Sequence, residues 1–386
     1  MDARILHLIP DDKFLDGAII QFESCCPGIH DYVMYNRREP SEVVYVRTLD
    51  KVRFAPEGSL LCQELITECL NGRYSAVIFH SIPSYFAEFV AKVKGSVKLI
   101  VVTWGHDIYT FINKKEYMRE TLKIKYSRRV MGNLFFLKRI WHSLSAMIRF
   151  NSWIPPDSAL KAFLSVDYIC PVIDTDYELF AHKFRRFKLP EMMSFSYMNH
   201  REQLLLENSE INDNYVMVGN SATPECNHAD VLSHLKNIGV SNRILLPLNY
   251  GYSREYGNII RERGKKMFGE QCLSLDTFMS MNDYLMQLKR CRFAVMGHRR
   301  QQAVGNIAML MWMGAKIFFA EGNPVYEYLS AQGAVVFIFD KACRMDFESP
   351  LNDIEVTTNR KIVEKIWGRE QVLKKTQNVI NKALSS

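Results

Sequence analysis

Residues 292–324 read RFAVMGHRRQQAVGNIAMLMWMGAKIFFAEGNP, and the fold is decided there. Residues 293–296 form a short apolar run, the mark of a buried strand, and Gly297 turns the chain. Five polar residues follow, His298, Arg299, Arg300, Gln301 and Gln302, at the mouth of a helix expected over 303–313. Gly314 ends that helix, a second apolar run covers 316–320, and Glu321-Gly322-Asn323-Pro324 closes the unit. Strand, polar loop, helix, strand, polar loop predicts a parallel βαβ unit. Ligands of such sheets sit beyond the carboxyl ends of the strands, where both polar loops fall. A helix N-terminus with free N–H groups, flanked by two arginines, suits a phosphate.

The same alternation runs outward in both directions. Apolar runs at 4–9, 32–35, 43–46, 74–80, 99–103 and 166–170 predict strands of a first domain, with helices over 14–24, 60–70 and 83–93. Runs at 215–218, 243–246, 272–275, 293–296, 316–319 and 335–339 predict a second set. The fold class is therefore α/β, with two Rossmann-like domains facing a central cleft. The boundaries expected are 1–190 for the first domain and 210–358 for the second. A C-terminal helix over 359–386 returns to the first. At 386 residues the chain suits two cores.

Composition narrows the class. A hydrophobic content of 48% with 24% charged residues is globular. Nine scattered cysteines, with no CxxC, predict reduced thiols in a cytosolic compartment. No stretch approaches the roughly 20 apolar residues of a membrane span. The net charge of +7 is unevenly placed: residues 114–149 hold ten Lys and Arg against two Glu, a net +8, so the remainder is near neutral. Helical periodicity over 117–148, with Tyr117, Tyr126, Phe135, Phe136, Trp141 and Phe150 among the basic residues, predicts an amphipathic face for an anionic membrane surface. Nucleic acid is the less favoured partner of that face.

Polar loops follow most predicted strands. Gly219-Asn220-Ser221 and the loop with Asn249 and Tyr250 open toward the same predicted edge as His298–Gln302. Gln301, Gln302 and Asn306 offer amides for sugar or base, and Glu321 and Asn323 lie one loop away. In the first domain Asp107, beside Trp104 and His106, is a candidate general base, because an apolar neighbour raises a carboxyl pKa. Asp11 is the other candidate, with Lys13 and His80 near the same edge. The lone DxD, Asp174-Thr175-Asp176, lies outside the strand-end loops and reads as chance. No His/Cys/Asp set has metal-ligand spacing. With neither GxGxxG nor GxxxxGK[ST], a Rossmann dehydrogenase or a P-loop enzyme has little support.

Trp104-Gly105-x-Asp107-x-Tyr109, Val218-Gly219-Asn220-Ser221, Arg300-Gln301-Gln302-x-x-Gly305 and Asn323-Pro324, in that order, resemble the bacterial 4-acetamidofucosyl (Fuc4NAc) transferase family, also labelled 4-alpha-L-fucosyltransferase. The resemblance implies a GT-B glycosyltransferase using a TDP-sugar and a polyprenyl-diphosphate-linked glycan acceptor. It implies work at the cytoplasmic face of the bacterial inner membrane, in surface polysaccharide synthesis, with neither metal nor cofactor. On that expectation Arg300 stabilises the leaving diphosphate. Gly219, Asn220, Ser221, Asn249, Tyr250, His298 to Gln302, Gly305, Asn306, Glu321 and Asn323 bind the donor. Lys13, His80, Trp104, His106 and Tyr109 bind the acceptor. The rival readings are a sugar-nucleotide epimerase and a non-catalytic membrane or nucleic-acid binding module.

Overall fold

The computed structural model describes residues 3–12, 14–35, 40–56, 59–82, 86–112, 115–132, 158–197, 210–251, 254–277 and 279–385. The chain divides into two compact units. The first gathers Met1–Ile112, Trp153–Gln203 and Trp367–Ser386; the second gathers Asn113–Ser152 and Leu204–Ile366.

In the first unit the strands are β1 (Arg4–Ile9), β2 (His30–Tyr35), β3 (Val52–Ala55), β4 (Tyr74–His80), β5 (Lys98–Val102), β6 (Tyr168–Cys170) and β7 (Glu191–Met192). They pair in parallel in the order β3-β2-β1-β4-β5-β6-β7. Helices cover both faces, so the central strands are apolar on both sides. On β4, Val77 and Phe79 face Leu65, Phe86 and Phe89. Ala76 and Ile78 face the opposite layer, where Phe22 meets Val379 and Ile380 of the C-terminal helix Arg369–Leu384. The expected single terminal helix is two, Asp353–Trp367 and Arg369–Leu384, parted at Gly368.

The second unit repeats the plan with β8 (Tyr215–Val218), β9 (Ile244–Pro247), β10 (Cys272–Leu275), β11 (Cys291–Met296), β12 (Lys316–Phe319) and β13 (Phe337–Ile338). All its pairs are parallel, in the order β10-β9-β8-β11-β12-β13. Strand order reverses between β8 and β11, as it does between β1 and β4 in the first unit. Such switch points open a crevice at the carboxyl ends of the strands.

Two sequence expectations are corrected here. Residues 43–46 are not a strand. Asp11 accepts the backbone N–H groups of Val44, Tyr45 and Val46, and Asp16 accepts those of Arg47 and Thr48. Carboxylates thus satisfy the donors that a ladder would use, and β3 forms later in the chain. The basic stretch is not part of the first unit. Its described helices, Arg119–Lys125 and Arg128–Met131, belong to the second. Phe135, Phe136, Trp141 and Phe150, which carry the aromatic face expected there, lie outside the described residues.

Candidate active site

At the β8/β11 switch point two loops interlock. Asn220 Oδ1 accepts from Gln302 Nε2 at 3.0 Å and from His298 Nε2 at 3.1 Å. Since that oxygen can only accept, the neutral His298 carries its proton on Nε2. Its Nδ1 is left as a buried acceptor with no hydrogen-bond partner among the described residues. Burial pushes the His298 pKa down to about 3, with Arg300 adding to the effect, so the ring is neutral at working pH. Ser221, Thr223 and Cys226 pack beneath the Gln302 amide, whose Oε1 also has no hydrogen-bond partner among the described residues.

Two glycines make this approach possible. Gly219 has φ +67°, and a Cβ on it would come within 2.6 Å of His228 Nε2. A Cβ on Gly297 would lie 2.5 Å from the Cys226 carbonyl oxygen. Asn227 locks the crossing by donating from Nδ2 to the Gly297 carbonyl at 2.8 Å. Asn323 is buried; its Nδ2 donates to the His298 carbonyl at 2.7 Å and its Oδ1 caps the helix Pro324–Ala331. Asn323 therefore shapes the His298 loop from behind.

The helix Val304–Met313 starts directly after this loop, with Ala303 held at φ +63°. A non-glycine residue there carries strain. Gly305, in the first turn, is exposed and a Cβ on it would meet nothing. Asn306 is already committed, donating from Nδ2 to Tyr284 Oη at 3.0 Å. Glu321 is exposed, and its backbone N–H is held by Asp340.

Two recesses flank the crossing. One, of about 580 Å³, is bounded by Arg119, His234, Arg299 and Asp340. The other, of about 480 Å³, lies beyond β8, β9 and β10 and holds Asn249, Arg254, Asn258 and the Arg261–Asp276 pair. Each falls in the range of small-ligand sites. Tyr250 contributes its carbonyl, which accepts the Ala222 N–H at 2.6 Å.

The first unit presents a different set of groups at its own strand ends. Asp107 is buried, and its carboxylate accepts from the Trp104 and Ile108 N–H groups. Burial raises its pKa, against the lowering effect of His106 and of these donors. Ser81, after β4, sits at φ +72°, and its side chain hydrogen-bonds the Asp107 carboxylate. A chain of rings runs inward from there. Tyr197 Oη meets His80 Nδ1 at 2.6 Å, His80 Nε2 meets His7 Nδ1 at 3.0 Å, and His7 Nε2 meets His30 Nδ1 at 2.9 Å. Burial pushes His80 down to about 3 and His7 well below the usual histidine value.

Several expected site residues are thereby reassigned. Asp11 spends both oxygens on the loop at 44–46, so it is a loop clamp and not a base. Tyr109 is buried, with its hydroxyl donated to Asp176 at 2.9 Å, so it belongs to the core and not to an acceptor surface. His80 lies within the histidine chain and is fully buried. His106 is exposed and Trp104 half-buried. Lys13 lies outside the described residues. Arg300 is less free than Arg299, because it sits 3.9 Å from Glu116.

Residues 173–352 match the family described as 4-alpha-L-fucosyltransferase, glycosyl transferase group 56. That stretch contains the whole β8/β11 crossing. Solved structures share the two-sheet fold along the full chain. A glycosyltransferase from Rickettsia africae superposes with TM-score 0.63 at 9% identity, over 100% of each chain. Sucrose-phosphate synthase from Thermosynechococcus elongatus gives 0.62 at 8%, over 98% of each. Anabaena HepE in complex with UDP gives 0.62 at 11%, over 98% of this chain and 99% of that one. The chain is a GT-B glycosyltransferase. At such identities the superpositions speak for the fold, and the family match speaks for the chemistry.

Sequence reasoning found the loops of this glycosyltransferase but missed what holds them. Cys226 and Asn227 gave no signal, because a Pro-Glu-Cys-Asn run reads as an ordinary turn. His7 and His30 were the readable omission: a histidine inside an apolar strand has to be paired.

Proposed function

We propose that this glycosyltransferase moves a deoxy-amino or fucose-type sugar, TDP-Fuc4NAc being the first candidate donor, onto a polyprenyl-diphosphate-linked glycan. The observation that carries the reading is the Asn220–His298–Gln302 crossing, which lies at a switch point inside the family-matched stretch. It offers neutral hydrogen-bonding groups next to Arg299, Arg300 and a helix N-terminus. Such groups neutralise a leaving diphosphate without a metal ion. The family description names a fucosyl transfer, and HepE is a fold neighbour whose structure holds UDP. Asp107 is the candidate base for the acceptor hydroxyl, since its buried carboxyl has a raised pKa.

Work on a lipid-linked acceptor places the enzyme at the cytoplasmic face of the inner membrane as a peripheral protein. No described helix is long and apolar enough to cross a membrane. The basic stretch supports attachment less strongly than its charge suggests. Lys123 pairs with Glu120 at 2.6 Å and Arg129 with Glu262 at 2.7 Å.

The test is a melting-point screen with TDP, UDP and GDP, since a ligand of the native state raises the midpoint. Transfer of labelled sugar to a polyprenyl-linked acceptor, with EDTA present, follows. A TDP-selective rise and EDTA-resistant transfer are expected. No rise with any of the three nucleotides overturns the donor reading.

A further inference from the structure

The described part of the basic stretch is a strap fastened to the second unit, and its fastening is specific. Met118 N–H donates to Asn227 Oδ1 at 2.8 Å, and the Glu120 and Thr121 N–H groups donate to the Asp230 carboxylate at 2.8 Å each. Tyr117 Oη donates to Glu225 Oε1 at 2.6 Å. Asn227 is the same residue that locks the β8/β11 crossing, so the strap and the crossing share one anchor.

This fastening sets Lys125 on the ring of Tyr117, next in the chain to Glu116, the carboxylate beside Arg300. Lys125 Nζ lies 3.6 Å from the centre of the Tyr117 ring. Among the described residues it has no carboxylate within ion-pair distance of 4.0 Å. Arg300 comes from the crossing, with its side chain only 12% exposed. Its Nε has no hydrogen-bond partner among the described residues and lies 3.9 Å from Glu116 Oε2. Burial lowers the Lys125 pKa, and the positive charge of Arg300 lowers it further, while Glu225 and Glu116 oppose both. Two cations that repel each other in a half-buried place are stabilised by an anion between them. Glu116, a monovalent carboxylate, stands beside one of the two. A diphosphate carries more charge and several acceptor oxygens, so it competes well for the same place.

We propose that Lys125 of the strap is a donor-diphosphate ligand together with Arg300, and that Glu116 occupies that place until the diphosphate arrives. The proposal deepens the donor reading above and rests on it. Lys125 is then a binding residue of the second unit, and its charge faces a phosphate instead of a bilayer. Tyr117 holds the ammonium by its ring face and is itself held by Glu225.

The test measures binding of TDP, inorganic diphosphate and geranyl diphosphate by calorimetry to the parent, Lys125→Met, Lys125→Arg and Glu116→Gln. Lys125→Met should weaken TDP and inorganic diphosphate at least tenfold. Lys125→Arg should keep most of the affinity, which separates the charge from a folding defect. Glu116→Gln should bind both at least threefold more tightly, because the competing carboxylate is gone. If all variants bind as the parent does, the proposal is overturned while the donor reading stands. If inorganic diphosphate binds with the expected dependence on Lys125 but no nucleotide does, the anion site stands and the donor reading falls. Dependence on Lys125 for geranyl diphosphate alone overturns the donor assignment in favour of the acceptor's diphosphate. A parent that binds none of the three overturns both.

Discussion

Gln302 Nε2 donates to Asn220 Oδ1 at 3.0 Å, joining the loop after β11 to the loop after β8. Nothing in the spacing of the two residues along the chain announces the bond. It exists because β8 and β11 are neighbours at the point where strand order reverses. The same oxygen holds the Nε2 proton of His298, so Asn220 sets the tautomer of that ring as well.

Replacing Asn220 by Ala should therefore be costly. It leaves the His298 N–H only the weak acceptor Cys226 Sγ at 3.3 Å, and the Gln302 amide only long contacts, such as those to Ser221 and Thr223 at 3.4 Å. An unmade buried hydrogen bond costs about 1–3 kcal/mol, and here two donors lose one acceptor. Urea unfolding of Asn220→Ala should show a loss in that range, together with weaker binding of the best nucleotide from the screen. A variant as stable as the parent would mean that the crossing relaxes without Asn220.

Acid should weaken the fold early. His7, His80 and His298 are held neutral by burial, the last two with pKa values pushed down to about 3. In the unfolded chain they titrate near about 6.5. A base whose folded pKa is depressed binds fewer protons folded than unfolded below 6.5. Its stability contribution is present above about pH 6.5 and is lost as pH falls toward 3. The melting midpoint should fall steadily from pH 7 to pH 5. A flat profile across that window would refute neutral burial of these rings.

Asp107→Asn should reduce kcat by about a hundredfold or more, the usual weight of a general base, while leaving nucleotide affinity unchanged. The parent's rate should fall on the acid side of a pKa that lies above the ordinary carboxyl value, since burial raises it. Turnover of Asp107→Asn within twofold of the parent removes Asp107 as the base.

The two parallel sheets were legible because central strands such as Phe293–Met296 and Val77–Phe79 are apolar on both faces, a pattern that composition alone displays. The loop contents were legible too, as with His298, Gln302 and Asn220. The roles within them were not. Asp11 and Tyr109 have the right chemistry at the right strand ends, yet their oxygens are spent on backbone N–H groups and on Asp176. Partner choice of that kind is a tertiary fact. The strap is the clearest case: Arg119–Lys125 follows the first unit in sequence but is fastened to the second by Asn227 and Asp230.

Tyr109→Phe tests the reassignment of Tyr109. Its hydroxyl is buried on Asp176, so the change should lower stability by about 1–3 kcal/mol through the lost hydrogen bond to a carboxylate. The KM for acceptor should stay as it is. An acceptor KM that rises severalfold, with stability intact, would restore Tyr109 to the acceptor site.

The last prediction separates two glycines of the same motif. A Cβ on Gly297 would meet the Cys226 carbonyl at 2.5 Å and Val231 Cγ2 at 2.8 Å, so the 224–227 segment or the His298 loop has to shift. Asn227 cannot follow freely, because it also carries the strap through Met118. Crowding of this kind costs about 1–3 kcal/mol. Gly297→Ala should therefore lose stability and lose nucleotide affinity more than tenfold, because the shift displaces the oxygens and amides around Asn220. Gly305 is the opposite case. It is exposed, a Cβ there meets nothing, and it lies in the first turn of a helix. Gly305→Ala should stabilise by about 0.5–1 kcal/mol through the higher helix propensity of alanine. Calorimetric melting and nucleotide titration of the two variants side by side decide the matter. Equal affinity for both would show that the close backbone approach at Gly297 is not what shapes the donor site.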